Sequence, residues 1–187
     1  AGATDVRTFI PMQGDLYVGL TAFDGLSVYF DLGVHGSYEA SVMYGHELGT
    51  PAIYGYAKIG HFMPPYGLRL ANHNVFVRQE IGFGPREKDT GLELGLQLGP
   101  LFIQGAILSG SGSEAFTDEN RKKAMVGRFE LLGALGPLHL MFGGSVYWNE
   151  SGNVIDLASG PVDTRTDHLL GSLHWGASLG RFVYLGE

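Results

Sequence analysis

Apolar and polar residues alternate with a period of two over long stretches of this chain, and that pattern restricts its fold more than any other feature. Between Leu26 and Val34, one face carries Leu26, Val28, Phe30, Leu32 and Val34, and the other carries Ser27, Tyr29, Asp31 and Gly33. From Leu92 to Leu98, Leu92, Leu94, Leu96 and Leu98 stand against Glu93, Gly95 and Gln97. From Leu138 to Trp148, Leu138, Leu140, Phe142, Val146 and Trp148 stand against His139, Met141, Ser145 and Tyr147. Leu169–Leu179 repeats the scheme, with Leu169, Leu173, Trp175, Ala177 and Leu179 opposite Leu170, Ser172, His174 and Ser178. Successive side chains of a β-strand point to opposite faces, so this period is that of strands. Helical periodicity is scarce, and the expected class is all-β.

The alternation predicts eleven strands, at about 5–11, 15–23, 26–35, 38–46, 52–61, 91–98, 101–109, 124–133, 137–148, 167–179 and 181–187. Several of these runs reach about 9–12 residues, beyond the mode of about 5–6 in soluble sheets. Tilted by about 45°, strands of that length cross an apolar band of about 25 Å. Length therefore favours a membrane barrel over a soluble sandwich. The connections point the same way. Those at Asp24–Gly25, Glu47–Pro51, Gly99–Pro100, Ala134–Gly136 and Gly180 are short, whereas 62–90, 110–123 and 149–166 are long. Outer-membrane barrels pair short periplasmic turns with longer extracellular loops. The turns at Met12–Gly14 and His35–Ser37 depart from that scheme, being short on the long-loop side.

Eleven is an odd number, and single-chain bacterial barrels have even ones. The segment Arg181–Glu187 also ends without a closing aromatic residue. The expectation is one barrel domain over 1–187, incomplete at its C-terminal end and part of a larger barrel.

Composition removes several function classes. The chain has 187 residues, no cysteine and a net charge of −7. Absence of cysteine excludes disulfides, thiolate metal sites, covalent haem attachment and cysteine nucleophiles. The acidic balance argues against a nucleic-acid partner, which calls for a basic face. No apolar run reaches the length of about 18 residues that a membrane-spanning helix needs. Glycine numbers 30, where average usage predicts roughly 13. Glycine inside alternating strands marks bends and close backbone approaches.

The polar face of the expected barrel carries Asp31, His35, Lys58, Glu93, Gln97, Arg128, Glu130, His139, His174 and Glu187. Either these groups line an aqueous path and tune ion selectivity, or they pair with one another and set strand register; the sequence leaves both open. None of the seven histidines forms HxH, HxxxH or HExxH. His168 and His174 share a face but lie about 20 Å apart at strand rise, so only a cross-strand arrangement could join them on a metal. The loop at 110–123 lacks calcium-loop spacing, and the GFG at 82–84 lacks the strand–turn–helix setting of a phosphate cradle. No GxSxG elbow is present. No catalytic residue, metal or cofactor is expected, and the chain is not expected to be an enzyme.

The segment Lys58-Ile-Gly-His-Phe-Met-Pro-Pro-Tyr-Gly-Leu-Arg69 is the most distinctive stretch. Pro64 and Pro65 cannot continue a ladder, so the chain must leave the sheet there. The phrase resembles one in porin-like bacterial outer-membrane barrels, of the phosphate-selective-porin and porin–cytochrome-conduit types. In those, a strand ending Gly-[Lys/Arg]-Phe-x-x-Pro-[Phe/Tyr]-Gly leads into a segment that packs at or within the pore. His61 stands here where that phrase usually has a basic residue. The stretch Leu179–Glu187 is similar to a mid-barrel strand of the same proteins.

The resemblance implies a transmembrane antiparallel up-and-down β-barrel in the bacterial outer membrane, passing ions or small solutes passively. Lys58, Arg69, Arg78, Glu93, Arg128 and Glu130 are the candidate pore-lining residues. The expected partners are the lipid bilayer and either a partner protein or other barrel subunits. A second reading makes the barrel a sheath or anchor for a partner such as an electron-transfer cytochrome. A third is a soluble ligand-binding β-barrel with its leucine faces turned inward.

Overall fold

The computed structural model describes residues 15–33, 38–50, 52–68, 88–110, 123–151, 154–157, 160–163 and 166–187. Among the described residues twelve strands follow one another: β1 (Asp15–Phe23), β2 (Leu26–Gly33), β3 (Tyr38–Glu47), β4 (Ile53–Phe62), β5 (Asp89–Leu98), β6 (Leu101–Leu108), β7 (Ala124–Leu135), β8 (Leu138–Ser151), β9 (Val154–Leu157), β10 (Gly160–Asp163), β11 (Thr166–Leu179) and β12 (Phe182–Gly186). Ten of them form one antiparallel up-and-down sheet in the order β1-β2-β3-β4-β5-β6-β7-β8-β11-β12. The remaining two, β9 and β10, pair as a separate hairpin.

The hairpin ends explain why neighbours in sequence pair in register. Leu98 pairs with Leu101, Leu135 with Leu138 and Leu179 with Phe182, so each connection has two residues. Gly99, Gly136 and Gly180 open these turns with φ of 56°, 61° and 58°. No non-glycine residue described has positive φ, and Pro100 and Pro137 hold the second turn position at negative φ. Positive then negative φ is the pattern of the type II′ hairpin, whose twist matches that of the strands it joins. These turns lie at one end of the sheet, together with those after β1 and β3. The C-terminal ends of β2, β4, β6 and β8, which lead into the longer connections, lie at the other, long-connection end.

All ten predicted strands from 15–23 onward are present, with observed ends within three residues of those read from the alternation. The run at 5–11, the Met12–Gly14 turn and the His35–Ser37 turn lie outside the described residues. One expectation is corrected. The connection at 149–166 is not plain loop: β8 extends to Ser151, and β9–β10 fill most of the rest. Pro161 within a four-residue strand hides this hairpin from a propensity reading. Among the described residues β1 and β12 do not pair with each other, so the sheet has two open edges and is not closed.

Burial runs opposite to that of a water-soluble sheet. Among the described residues thirty-three large apolar side chains are exposed, while only seven hydrophobic residues are buried. The exposed ones include the alternating sets Leu92 and Leu94, Ile103 and Ile107, Phe142 and Val146, and Leu173 and Trp175. Interleaved with them on the other face, Asp31, Ser41, Glu93, Gln104, Arg128, Ser145 and His174 are buried. The small apolar core, Phe62, Tyr66, Ala106, Leu108, Ala124 and Val126, sits on this covered face toward the long-connection end.

Candidate functional site: a linked polar face covered by the segment after β4

Register brings charged and polar residues of six strands into neighbouring rows. Tyr56, Gly95, Gln104, Arg128, Ser145 and Ser172 are successive lateral partners across β4, β5, β6, β7, β8 and β11. One pair along the strands, Lys58 faces Glu93. On the other side of the row, Glu130, Gly143 and His174 face one another in turn.

The side chains of these rows form one connected chain. Lys58 Nζ lies 3.0 Å from Glu93 Oε2. The other oxygen, Oε1, accepts from the Tyr56 hydroxyl at 2.5 Å and from Gln104 Nε2 at 3.2 Å. Gln104 Nε2 also reaches the Tyr56 oxygen at 2.5 Å. Arg128 Nη1 donates to Gln104 Oε1 at 2.6 Å, and Nη2 pairs with Glu130 Oε1. Glu130 Oε1 in turn meets His174 Nε2 at 3.1 Å. Glu93 and His174 are fully buried. A buried carboxylate or guanidinium is tolerated only when paired and hydrogen-bonded, and each charge here is so satisfied.

Two glycines let this chain lie flat on the sheet. A Cβ on Gly95 would come within 1.9 Å of the Tyr56 ring, and one on Gly143 within 2.4 Å of His174 Nε2. Tyr56 crosses over Gly95 to reach Glu93 and Gln104, and His174 crosses over Gly143 to reach Glu130. Part of the glycine excess thus serves lateral contact between side chains rather than bending.

A second cluster lies toward the long-connection end. Asp31 and Glu39 face each other across β2 and β3. The buried Lys88 ammonium lies between them, 3.2 Å from Asp31 Oδ2 and 3.9 Å from Glu39 Oε1. Glu39 Oε1 also accepts the Met63 backbone N–H at 3.0 Å. Asp89 accepts from the N–H of Thr90 at 2.7 Å and of Gly110 at 2.8 Å, holding the start of β5 to the end of β6.

Between the two clusters the chain after β4 turns back over the covered face. Pro64, Pro65, Tyr66, Gly67 and Leu68 are all buried. Tyr66 stacks edge-on against Tyr147 with ring centroids 6.5 Å apart. The Gly67 N–H donates to Ser145 Oγ at 2.8 Å, and the Gly67 carbonyl accepts from Arg128 Nε at 3.1 Å. Gly67 has φ of 57°, and a Cβ there would lie 2.0 Å from Glu187 Oε1.

Of the six candidate pore-lining residues, Lys58, Glu93, Arg128 and Glu130 fall on this one chain. Arg69 and Arg78 lie outside the described residues, as does His35. Of the other residues placed on the polar face, Asp31 and His174 are buried, while Gln97, His139 and Glu187 are exposed. The sequence reading omitted Tyr56, Gln104, Glu39 and Lys88, and placed Ser145 on the polar face without naming it a candidate. Tyr56 and Gln104 carried a signal, since alternation puts them on the same face as Lys58 and Arg128. Lys88 had none, because it was assigned to the long connection. Among the described residues no group of three metal-ligating side chains comes together.

Comparison with protein-family models, with curated proteins and with solved structures finds no match.

Proposed function

We propose that this chain forms the wall of a porin-like β-barrel in a bacterial outer membrane, with an aqueous path for ions or small solutes along its polar face. The carrying observation is the inverted burial. Leucine, isoleucine, phenylalanine and valine alternate onto an exposed face, and carboxylates, guanidinium and imidazole onto the covered one. In water such a face would be a large aggregation liability; against acyl chains it is the favourable arrangement. Ten residues of antiparallel strand span roughly 34 Å, or about 24 Å when tilted by about 45°, which matches the apolar band of such barrels.

In lipid, an open strand edge would leave backbone groups unsatisfied at several kcal/mol each. The outer edges of β1 and β12 must therefore be paired in the membrane.

The pore reading is preferred over a sheath for a partner protein because Pro64–Leu68 lies on the polar face, where an occupant such as a cytochrome would sit. A soluble ligand-binding barrel would need its leucine face covered, the reverse of the observed burial. Reconstitution into planar bilayers tests the proposal: discrete, voltage-driven conductance steps are expected. No conductance together with a co-purifying haem protein would favour the sheath, and a monodisperse protein in detergent-free buffer would sink both membrane readings.

A further inference from the structure

The contacts of Gly67 carry an inference that rests on the pore reading and goes beyond it. Pro64 and Pro65 have no N–H with which to join a ladder, so the segment after β4 cannot be held by sheet hydrogen bonds in the usual way. Instead, both polar backbone groups of Gly67 are taken by side chains of the wall. Ser145 Oγ accepts its N–H and Arg128 Nε donates to its carbonyl. Arg128 and Ser145 are direct register partners on β7 and β8. The two form a clamp across a single strand pair. Arg128 is aimed by its other nitrogens, with Gln104 on Nη1 and Glu130 on Nη2, and Glu130 is held in turn by His174. A planar guanidinium with fixed donor directions can make all three contacts at once, and a lysine ammonium cannot.

We propose that Arg128 is the positioning residue of a constriction: with Ser145 it clamps the Gly67 turn across the polar face and so sets the bore of the path. Glu130, Gln104 and His174 serve the constriction by orienting Arg128. The clamp has no role in strand pairing itself, because the β7–β8 ladder runs through both residues by backbone bonds.

The natural absence of cysteine makes the clamp directly testable in the full chain. Leu68→Cys places a single thiol at a buried position beside the turn. Its reaction with a charged, bilayer-impermeant methanethiosulfonate is measured alone and combined with Arg128→Lys or Ser145→Ala. Each clamp variant should speed modification by about tenfold, the effect of losing one hydrogen bond to a charged or buried group. Each should also raise the single-channel conductance.

Unchanged modification rates in both variants, in protein that keeps its β-sheet circular dichroism and heat-modifiable migration, would overturn the clamp. Faster modification with unaltered conductance would overturn its role in setting the bore. Faster modification of a protein that conducts nothing, even before mutation, would retain the clamp and overturn the pore reading. Ser145→Ala removes no charge, so its result stands even where Arg128→Lys fails to fold.

Discussion

Lys58 and Glu93 stand directly opposite each other on β4 and β5, and their side chains meet at 3.0 Å with the Glu93 side chain wholly buried. The pair is not isolated. Tyr56 and Gln104 both donate to the second carboxylate oxygen, so the anion is solvated by protein on both sides. Such an arrangement contributes specificity of register more than net stability, since desolvation offsets much of the attraction. Breaking it, by contrast, is costly.

Lys58→Met should destabilise the sheet by about 3 kcal/mol, the lower part of the range for stranding a buried charge, because two neutral donors remain. Urea unfolding in lipid vesicles, followed by fluorescence, measures this. Adding Glu93→Gln should recover a large part of the loss, giving a coupling of about 1–3 kcal/mol in the double-mutant cycle. Strictly additive losses would mean that the two side chains do not interact in the folded protein.

Glycines on the two faces should respond oppositely to alanine. Gly95→Ala meets the Tyr56 ring and Gly143→Ala meets His174 and the Phe129 carbonyl. Each should cost about 1–3 kcal/mol, the usual range for overpacking. Gly127, with nothing within 4 Å of its would-be Cβ, should tolerate alanine or gain about 0.4–1 kcal/mol through a less flexible unfolded chain. Equal effects at all three positions would contradict the packing described for Tyr56 and His174.

Much of this was legible in the residue pattern, and what was not has physical reasons. Alternation located the strands because most of the main-sheet strands separate an apolar face from a polar one; β12 does not, with Phe182, Val183, Tyr184 and Leu185 all exposed. The same alternation put Lys58, Glu93, Arg128 and Glu130 on one face. It did not show that the Lys58–Glu93 pair is linked to the Arg128–Glu130 pair, because that link runs through Gln104, with Tyr56 beside it, and neither carries a charge. Which residue of one strand meets which residue of the next depends on turn geometry. Gly99-Pro100 and Gly136-Pro137 set that geometry through φ values a linear reading does not contain. The departure of 63–68 from the sheet was legible from Pro64-Pro65. The segment's attachment to Ser145 was not, since nothing in the sequence relates positions 67 and 145.

Charge on the apolar face should be penalised according to depth. Leu94 lies near the middle of β5, and Leu135 lies at the turn end of β7; both are exposed. In a membrane barrel Leu94→Arg should cost about 2–4 kcal/mol and Leu135→Arg about 0–1 kcal/mol. Reversible unfolding from vesicles gives both values. Near-zero cost at both positions would be the behaviour of a face bathed in water.

The most direct test of the central claim is collision accessibility of single spin labels placed along β5 in the reconstituted protein. Labels replacing Leu92 and Leu94 should collide readily with oxygen, which concentrates among acyl chains, and poorly with a water-soluble nickel chelate. A label replacing Gln97, exposed and on the opposite face of the strand, should lack the lipid signature, giving accessibility that follows the strand period of two. High nickel accessibility at positions 92 and 94 would place the leucine face in water and contradict the membrane reading.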